Sequence, residues 1–392
     1  MSDLTRRQLL QRGAAGGSVL TLPGLLAACG GGGGIKSPTK TAASTTQVKH
    51  VLKKTLNFSN WPYYMDTDKH KKHPSLEQFT KQYGVKVNYT EDINDNEQFF
   101  GKIEGPLSKG QGIGRDIIVM TDSGDIPAKL VQLGWVQKLD KTAIPNAKNI
   151  QDVLAHPSWD PNREHSLPWQ TGMTGIGYDP HKVPGGEITS IEDLLTNKKL
   201  KGKVTLLTEM SDSIGLVMLA QGNDPAHTTD ATFDKALARL KKAVDSGQIR
   251  QFTGNEYGAM LAKGDVWACM AWSGDIALLQ PDHPDLKWNL ADTGGMVWTD
   301  NMMIPLGGDV YTASVYMNYY YQPKVAAEVE AGVNYICPVK GADAVLRKSD
   351  PKTANNPLIF PTKQMLDNVH QMNFQALSNT AYKKKFQALI GA

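Results

Sequence analysis

From Thr55 onward the chain alternates short apolar, β-like runs with amphipathic stretches of helical period, which limits the architectures open to it. Residues 56–61 read as a first strand, and Pro74 opens a helix that runs to Tyr83 and stops at Gly84. Val85-Lys86-Val87-Asn88-Tyr89 alternates as a second strand, and Asp116-Ile117-Ile118-Val119-Met120 is a buried third. A helix beginning near Ile126-Pro127 leads to residues 135–139. The pattern resumes with a capped helix start at Ser190-Ile191-Glu192-Asp193 and a strand over 203–207. Helical stretches over 212–220 and 230–246 precede a further strand over 266–272. Residues 296–305 begin a new unit, followed by a helix through Tyr316 and Ala326. This order predicts an α/β sheet with crossover helices. The length suits two domains and no repeat of solenoid period occurs, so two α/β lobes linked by crossing strands are the economical account.

The N-terminus speaks to location. Thr5-Arg6-Arg7-Gln8-Leu9-Leu10 precedes a glycine- and alanine-rich apolar stretch ending in Leu26-Ala27-Ala28-Cys29 and five glycines. A basic start, a short apolar core and small residues before a break describe an export signal over 1–28. The stretch is too short and too glycine-rich for a stable membrane-spanning helix. Leu-Ala-Ala-Cys resembles a bacterial lipobox, which implies lipidation of Cys29, and the twin arginine resembles a Tat signal. Residues 29–52 read as a flexible tether. The expected location is the extracytoplasmic face of the bacterial cytoplasmic membrane.

Removing residues 1–28 takes away Arg6, Arg7, Arg12 and Asp3 and leaves the two signs within one charge of each other. Nucleic-acid binding needs a basic surplus that is not present. Besides Cys29 there are only Cys269 and Cys337, whose spacing demands no disulfide. Cys269 sits in an apolar run that suits a buried free thiol.

Seven landmarks in order carry a resemblance: Asn60-Trp61-Pro62-Tyr63-Tyr64, Asp116-Ile117-Ile118-Val119, Ser166-Leu167-Pro168-Trp169-Gln170-Thr171-Gly172, Gly202 to Thr208, Met270-Ala271-Trp272-Ser273-Gly274, Trp298-Thr299-Asp300 and Tyr335-Ile336-Cys337-Pro338. Together, from about residue 56 to the C-terminus, they resemble the spermidine/putrescine-binding proteins, the solute receptors of polyamine ABC transporters. The resemblance implies a two-lobe periplasmic-binding-protein clamp, type II-like, with ligand in the interlobe cleft. Lobe one would hold 53–174 and 298–345, and lobe two 175–297 and 346–392. It also implies the partners of such a receptor: a polyamine, a membrane permease and its ATPase subunits, with a monomeric receptor and no cofactor.

A polyamine needs aromatic walls for its methylenes and ammonium groups, and carboxylates spaced to meet its charges. By the resemblance Trp61, Tyr64, Trp272, Trp298 and Tyr335 form the walls, Asp300 pairs with an ammonium group, and Thr121 stands at a hydrogen-bonding serine position. The chain also departs from the family. The family's acidic pair falls on Met210 and Ser213, with Glu209 and Asp212 beside them. An aromatic position falls on Ser123, with Asp122 beside it. A threonine becomes Pro62, and a glutamine falls on either Gln371 or Met372. Taken singly, a strand tryptophan is more often core than ligand wall, and Glu209 and Asp212 also suit a helix N-terminus.

Other readings have less behind them. His70-Lys71-Lys72-His73 crowds cations before Pro74 and reads as a solvated loop. Tyr319-Tyr320-Tyr321 resembles the tyrosine pairs of ferric-ion receptors with the same clamp, but falls in a packed helix. For a lipoprotein hydrolase, no Gly-x-Ser-x-Gly is present. Nor is there a Walker loop, and the glycines from 105 to 114 read as a loop closing a helix. The expectation is a receptor, not an enzyme.

Overall fold

The computed structural model describes residues 50–391 other than Tyr63, Asn94 and Asp95. The export segment, Cys29 and most of the tether lie outside the described residues.

Ten strands form one sheet: β1 (Thr55–Asn60), β2 (Lys86–Glu91), β3 (Ile117–Thr121), β4 (Ser166–Tyr178), β5 (Val204–Leu207), β6 (Ile249–Thr253), β7 (Ala268–Trp272), β8 (Lys287–Asn289), β9 (Gly295–Met303) and β10 (Val369–His370). The order is β2-β1-β3-β9-β4-β7-β5-β6, with β10 on β9 and β8 on β4. At one end β2, β1 and β3 are parallel, and at the other β7, β5 and β6 are parallel. The long antiparallel pair β4 and β9 joins them. Parallel strands require crossover helices, and these cover the sheet, which is why Ile117 to Met120 are all fully buried.

β4 and β9 pass between two hydrophobic cores. Leu167 and Trp169 of β4 pack with Phe58, Phe79, Tyr316 and Tyr320. Further along the same strand, Met173 and Ile176 pack with Leu206, Ile214, Phe233 and Met270. Ser166 faces Met303 and Thr174 faces Met296 across the pair, and the register shifts between Pro168 and Gln170. A third cluster, Phe99, Phe100, Ile103 and Trp135, covers Ile118 and Met120.

Two sequence-based expectations change. The helix Asn96–Ser108 runs through Gly105 and Pro106 instead of ending in a glycine-rich loop. Its stripe of Phe99, Phe100, Ile103 and Leu107 is buried, and that burial outweighs two poor helix formers in the last turns. The helix foreseen through Tyr316 and Ala326 is two helices, Val310–Tyr320 and Pro323–Val333. Pro323 cannot continue the first helix but suits the first turn of the second. The neighbouring hydroxyls of Tyr319, Tyr320 and Tyr321 donate to the carbonyls of Ser75, Trp169 and Pro168, so the first ties this segment to the helix Pro74–Tyr83 and the other two tie it to β4. Cys269 and Cys337 are free and buried. No described helix is long and apolar enough to cross a membrane.

Candidate ligand cleft

A cleft of about 520 Å³ opens where the parallel strands of both ends terminate. Trp61 and Tyr64 follow β1, and Thr121 ends β3. Thr208, Glu209 and Asp212 follow β5, Gly254 to Glu256 follow β6, and Trp272 ends β7. Trp298 and Asp300 come from β9, and Tyr335 follows the helix Pro323–Val333. Side chains from unrelated parts of the sequence converge here because the carboxyl ends of parallel strands share one edge.

In the first half, Asn60 folds the turn after β1. Its Oδ1 accepts from Trp61 N at 2.9 Å and its Nδ2 donates to Tyr64 O at 3.3 Å. Trp61 Nε1 donates to Val119 O at 3.1 Å, which lays the indole against β3. Asp300 faces Thr121 in the β3–β9 register. Its carboxylate accepts from Thr121 Oγ1 and from Tyr64 Oη, the latter at 2.5 Å. Both hydroxyls orient the buried acid.

In the second half, Asp212 is buried and accepts from Trp272 Nε1 and Thr174 Oγ1, each at 2.8 Å. Burial pushes its carboxyl up to about 6, and those two hydrogen bonds oppose the rise. Asp275 lies beneath the floor. It accepts from Tyr335 Oη at 2.9 Å and from Tyr257 Oη and Asn255 Nδ2 at 2.8 Å.

Aromatic rings run between the halves. Tyr64 and Tyr335 meet edge-on with centroids 5.5 Å apart, Tyr335 and Trp298 are 5.6 Å apart, and Trp298 and Trp272 are 6.3 Å apart. Two glycines make room for them. A Cβ on Gly172 would lie 2.2 Å from Trp298 Cζ2, and one on Gly274 would lie 2.6 Å from Tyr335 Cε1.

Nine of the ten residues expected at the site line this cleft: Trp61, Tyr64, Thr121, Glu209, Asp212, Trp272, Trp298, Asp300 and Tyr335. Asp122 does not. Its Oδ1 accepts from Thr299 N at 2.7 Å and its Oδ2 from Trp159 Nε1 at 3.3 Å, so it ties the end of β3 to β9 behind the wall. Strand alternation turns it away from the face that carries Thr121. Ser213 is also withdrawn, fully buried with its hydroxyl on Leu207 O, while Glu209 and Asp212 reach the cleft.

Sequence reasoning missed Asn96, Asn255 and Glu256. Asn96 brackets Thr121 through Thr121 N and O at 3.2 and 3.1 Å. Asn255 and Glu256 were missed because β6 was not recognised. Its outward Arg250 and Gln251 dilute the apolar signal that marks the other strands. The cleft is lined by four carboxylates, Asp300, Asp212, Glu209 and Glu256, and by no cationic side chain among the described residues.

Among proteins of known identity, the chain is 26% identical over 338 residues to the spermidine/putrescine-binding periplasmic protein of Escherichia coli K12, covering 86% of this chain and 91% of that one. It is 28% identical over 335 residues to the putrescine-binding periplasmic protein SpuD of Pseudomonas aeruginosa, covering 81% and 86%. The fold is similar to that of a spermidine/putrescine ABC transporter substrate-binding protein from Streptococcus pneumoniae, with a TM-score of 0.73 at 21% identity over 86% of this chain and 97% of that one. It is likewise similar to the Tp0655 lipoprotein of Treponema pallidum, with a TM-score of 0.72 at 20% identity over 86% and 100%. These neighbours establish the two-lobe binding-protein clamp as the fold. A family profile matches residues 75–362, most of the chain, and the protein belongs to the bacterial extracellular solute-binding proteins.

Proposed function

We propose that this protein is the extracytoplasmic receptor of an ABC importer and that its ligand is a polyamine of the spermidine/putrescine class. The observation that carries the reading is the cleft's composition. Five aromatic side chains and four carboxylates line it without a cationic side chain among the described residues. Methylenes and ammonium groups favour aromatic faces, and the carboxylates neutralise the charges. The names of the relatives point the same way.

In this reading 53–174 with 298–345 and 175–297 with 346–392 form two lobes that close about β4 and β9. Asp300 stands on one lobe and Asp212 and Glu209 on the other, so a cation between them is held from both sides only when the lobes are shut. The closed receptor delivers its ligand unchanged to a membrane permease driven by ATPase subunits, acts as a monomer, and stays at the membrane through a lipid on Cys29. Calorimetric titration of the purified protein with spermidine, putrescine and an uncharged amide tests this. Micromolar or tighter binding of an amine and none of the amide is expected. Silence with both amines would refute the polyamine assignment.

A further inference from the structure

We infer that Glu256 is a specificity-determining residue that recognises a third positive charge, so that the cleft prefers a triamine to a diamine. The inference rests on the polyamine reading above.

The four cleft carboxylates are not equivalent. Asp300 is held by Tyr64 and Thr121, and Asp212 by Trp272 and Thr174, so each belongs to the framework that fixes the aromatic walls. These two acids, one from each half, equal the two charges of a diamine in number, and Glu209 stands beside Asp212 in the second half. Glu256 is different. It is exposed, opens the helix Glu256–Lys263, and still lines the cleft.

Its position is nonetheless defined. Asn255 on one side and Tyr257 on the other both bind Asp275, and Asp275 holds the wall residue Tyr335. Tyr257 Oη also accepts from Trp272 N at 2.9 Å. The backbone of Glu256 is therefore coupled to two aromatic walls of the site. Gly254, itself a lining residue, leaves room for the carboxylate, since a Cβ there would come within 3.3 Å of Glu256 Oε2. The acid thus folds back along the cleft lining. An acid in a first helical turn also interacts with the helix dipole, but that role requires no such return toward the cleft.

A ligand whose two ends satisfy Asp300 and Asp212 leaves Glu256 with water. A further ammonium group on a longer ligand would pair with it, since all three acids line the one cleft. Because Glu256 is exposed, its pairing is screened and contributes selectivity more than raw affinity.

The test is calorimetric titration of the full protein and its Glu256→Gln and Glu256→Lys variants with spermidine and putrescine at low and high salt. Neither change lies in the core, so thermal melting should remain as in the parent. Glu256→Gln should weaken spermidine roughly two- to fivefold, the range for an exposed charge pair, and leave putrescine within about twofold. Glu256→Lys should enlarge the spermidine loss further, and high salt should shrink both. Equal effects on the two amines, or none, would overturn the inference while the polyamine reading stands. Failure of the parent protein to bind either amine would overturn both.

Discussion

The aromatic wall depends on a residue with no side chain, and replacing Gly172 by alanine measures that dependence. The new Cβ would lie 2.2 Å from Cζ2 and 2.5 Å from Cη2 of Trp298. The indole cannot swing away freely, because it is packed against Trp272 and Tyr335, and Gly172 sits directly opposite Trp298 in the β4–β9 register. Overpacking of this kind costs about 1–3 kcal/mol of stability. If Trp298 leaves its place, the loss of one cation–π wall weakens an amine ligand by a further ~0.5–2 kcal/mol, between two- and thirtyfold. Urea unfolding followed by tryptophan fluorescence reads the first quantity, and calorimetric titration reads the second. The decisive control is Trp298→Phe, which removes Cζ2 and Cη2, the two closest of the three indole atoms that the new Cβ would meet. In that background Gly172→Ala should cost far less, giving a coupling energy of at least about 1 kcal/mol in a double-mutant cycle. An equal penalty in both backgrounds would refute the steric argument.

Asp300→Asn should weaken amine binding by about 1.5–3 kcal/mol, the range for a charged hydrogen bond, and unchanged affinity by calorimetry would remove Asp300 from the site. Burial raises Asp212 from its ordinary value of 3.8 to about 6, so the folded state holds this proton more tightly than the unfolded state. Its cost is absent below about pH 4, grows as pH rises toward 6, and stays constant above, reaching on the order of 3 kcal/mol. Asp212→Asn should remove that part of the stability profile and make the protein more stable above pH 6; an unaltered profile from urea unfolding between pH 4 and 7 would contradict it. Lys383, on the helix Thr380–Ile390, pairs with Asp125 at 2.5 Å, and their neighbours Phe386 and Ile126 belong to different cores. If the two lobes separate, Lys383→Met should favour the open form and lower ligand affinity up to about fivefold. Small-angle scattering of the ligand-free variant should show a larger radius of gyration, and an identical radius would exclude this pair as a closing contact.

Much of the architecture was legible because periodicity is local. The apolar run before Thr121 and the alternation of 85–89 identify strands without knowledge of their partners. Strand β6 escaped notice because Arg250 and Gln251 face water, and Glu256, just beyond it, was missed with it. The break at Pro323 was visible in the sequence, yet the shared apolar character of the flanking residues masked it. The aromatic residues of the cleft were legible through their ordered resemblance to a family, because single tryptophans in strands do not announce whether they face ligand or core.

By itself, the sequence determined the α/β class, the near-balanced charge after the leader, and the residue types that favour a cation. These follow from composition and from short-range spacing, which the chain carries in any conformation. Which carboxylates meet in one cavity was settled by the folded chain. Asp122 and Thr121 are neighbours in sequence, but the pleat sends one behind the wall and the other to Asp300. Glu209 and Asp212 reach the cleft while Ser213 is buried beneath the helix start. Which side chains converge depends on strand register and helix phase set by contacts hundreds of residues apart, and no local pattern encodes those.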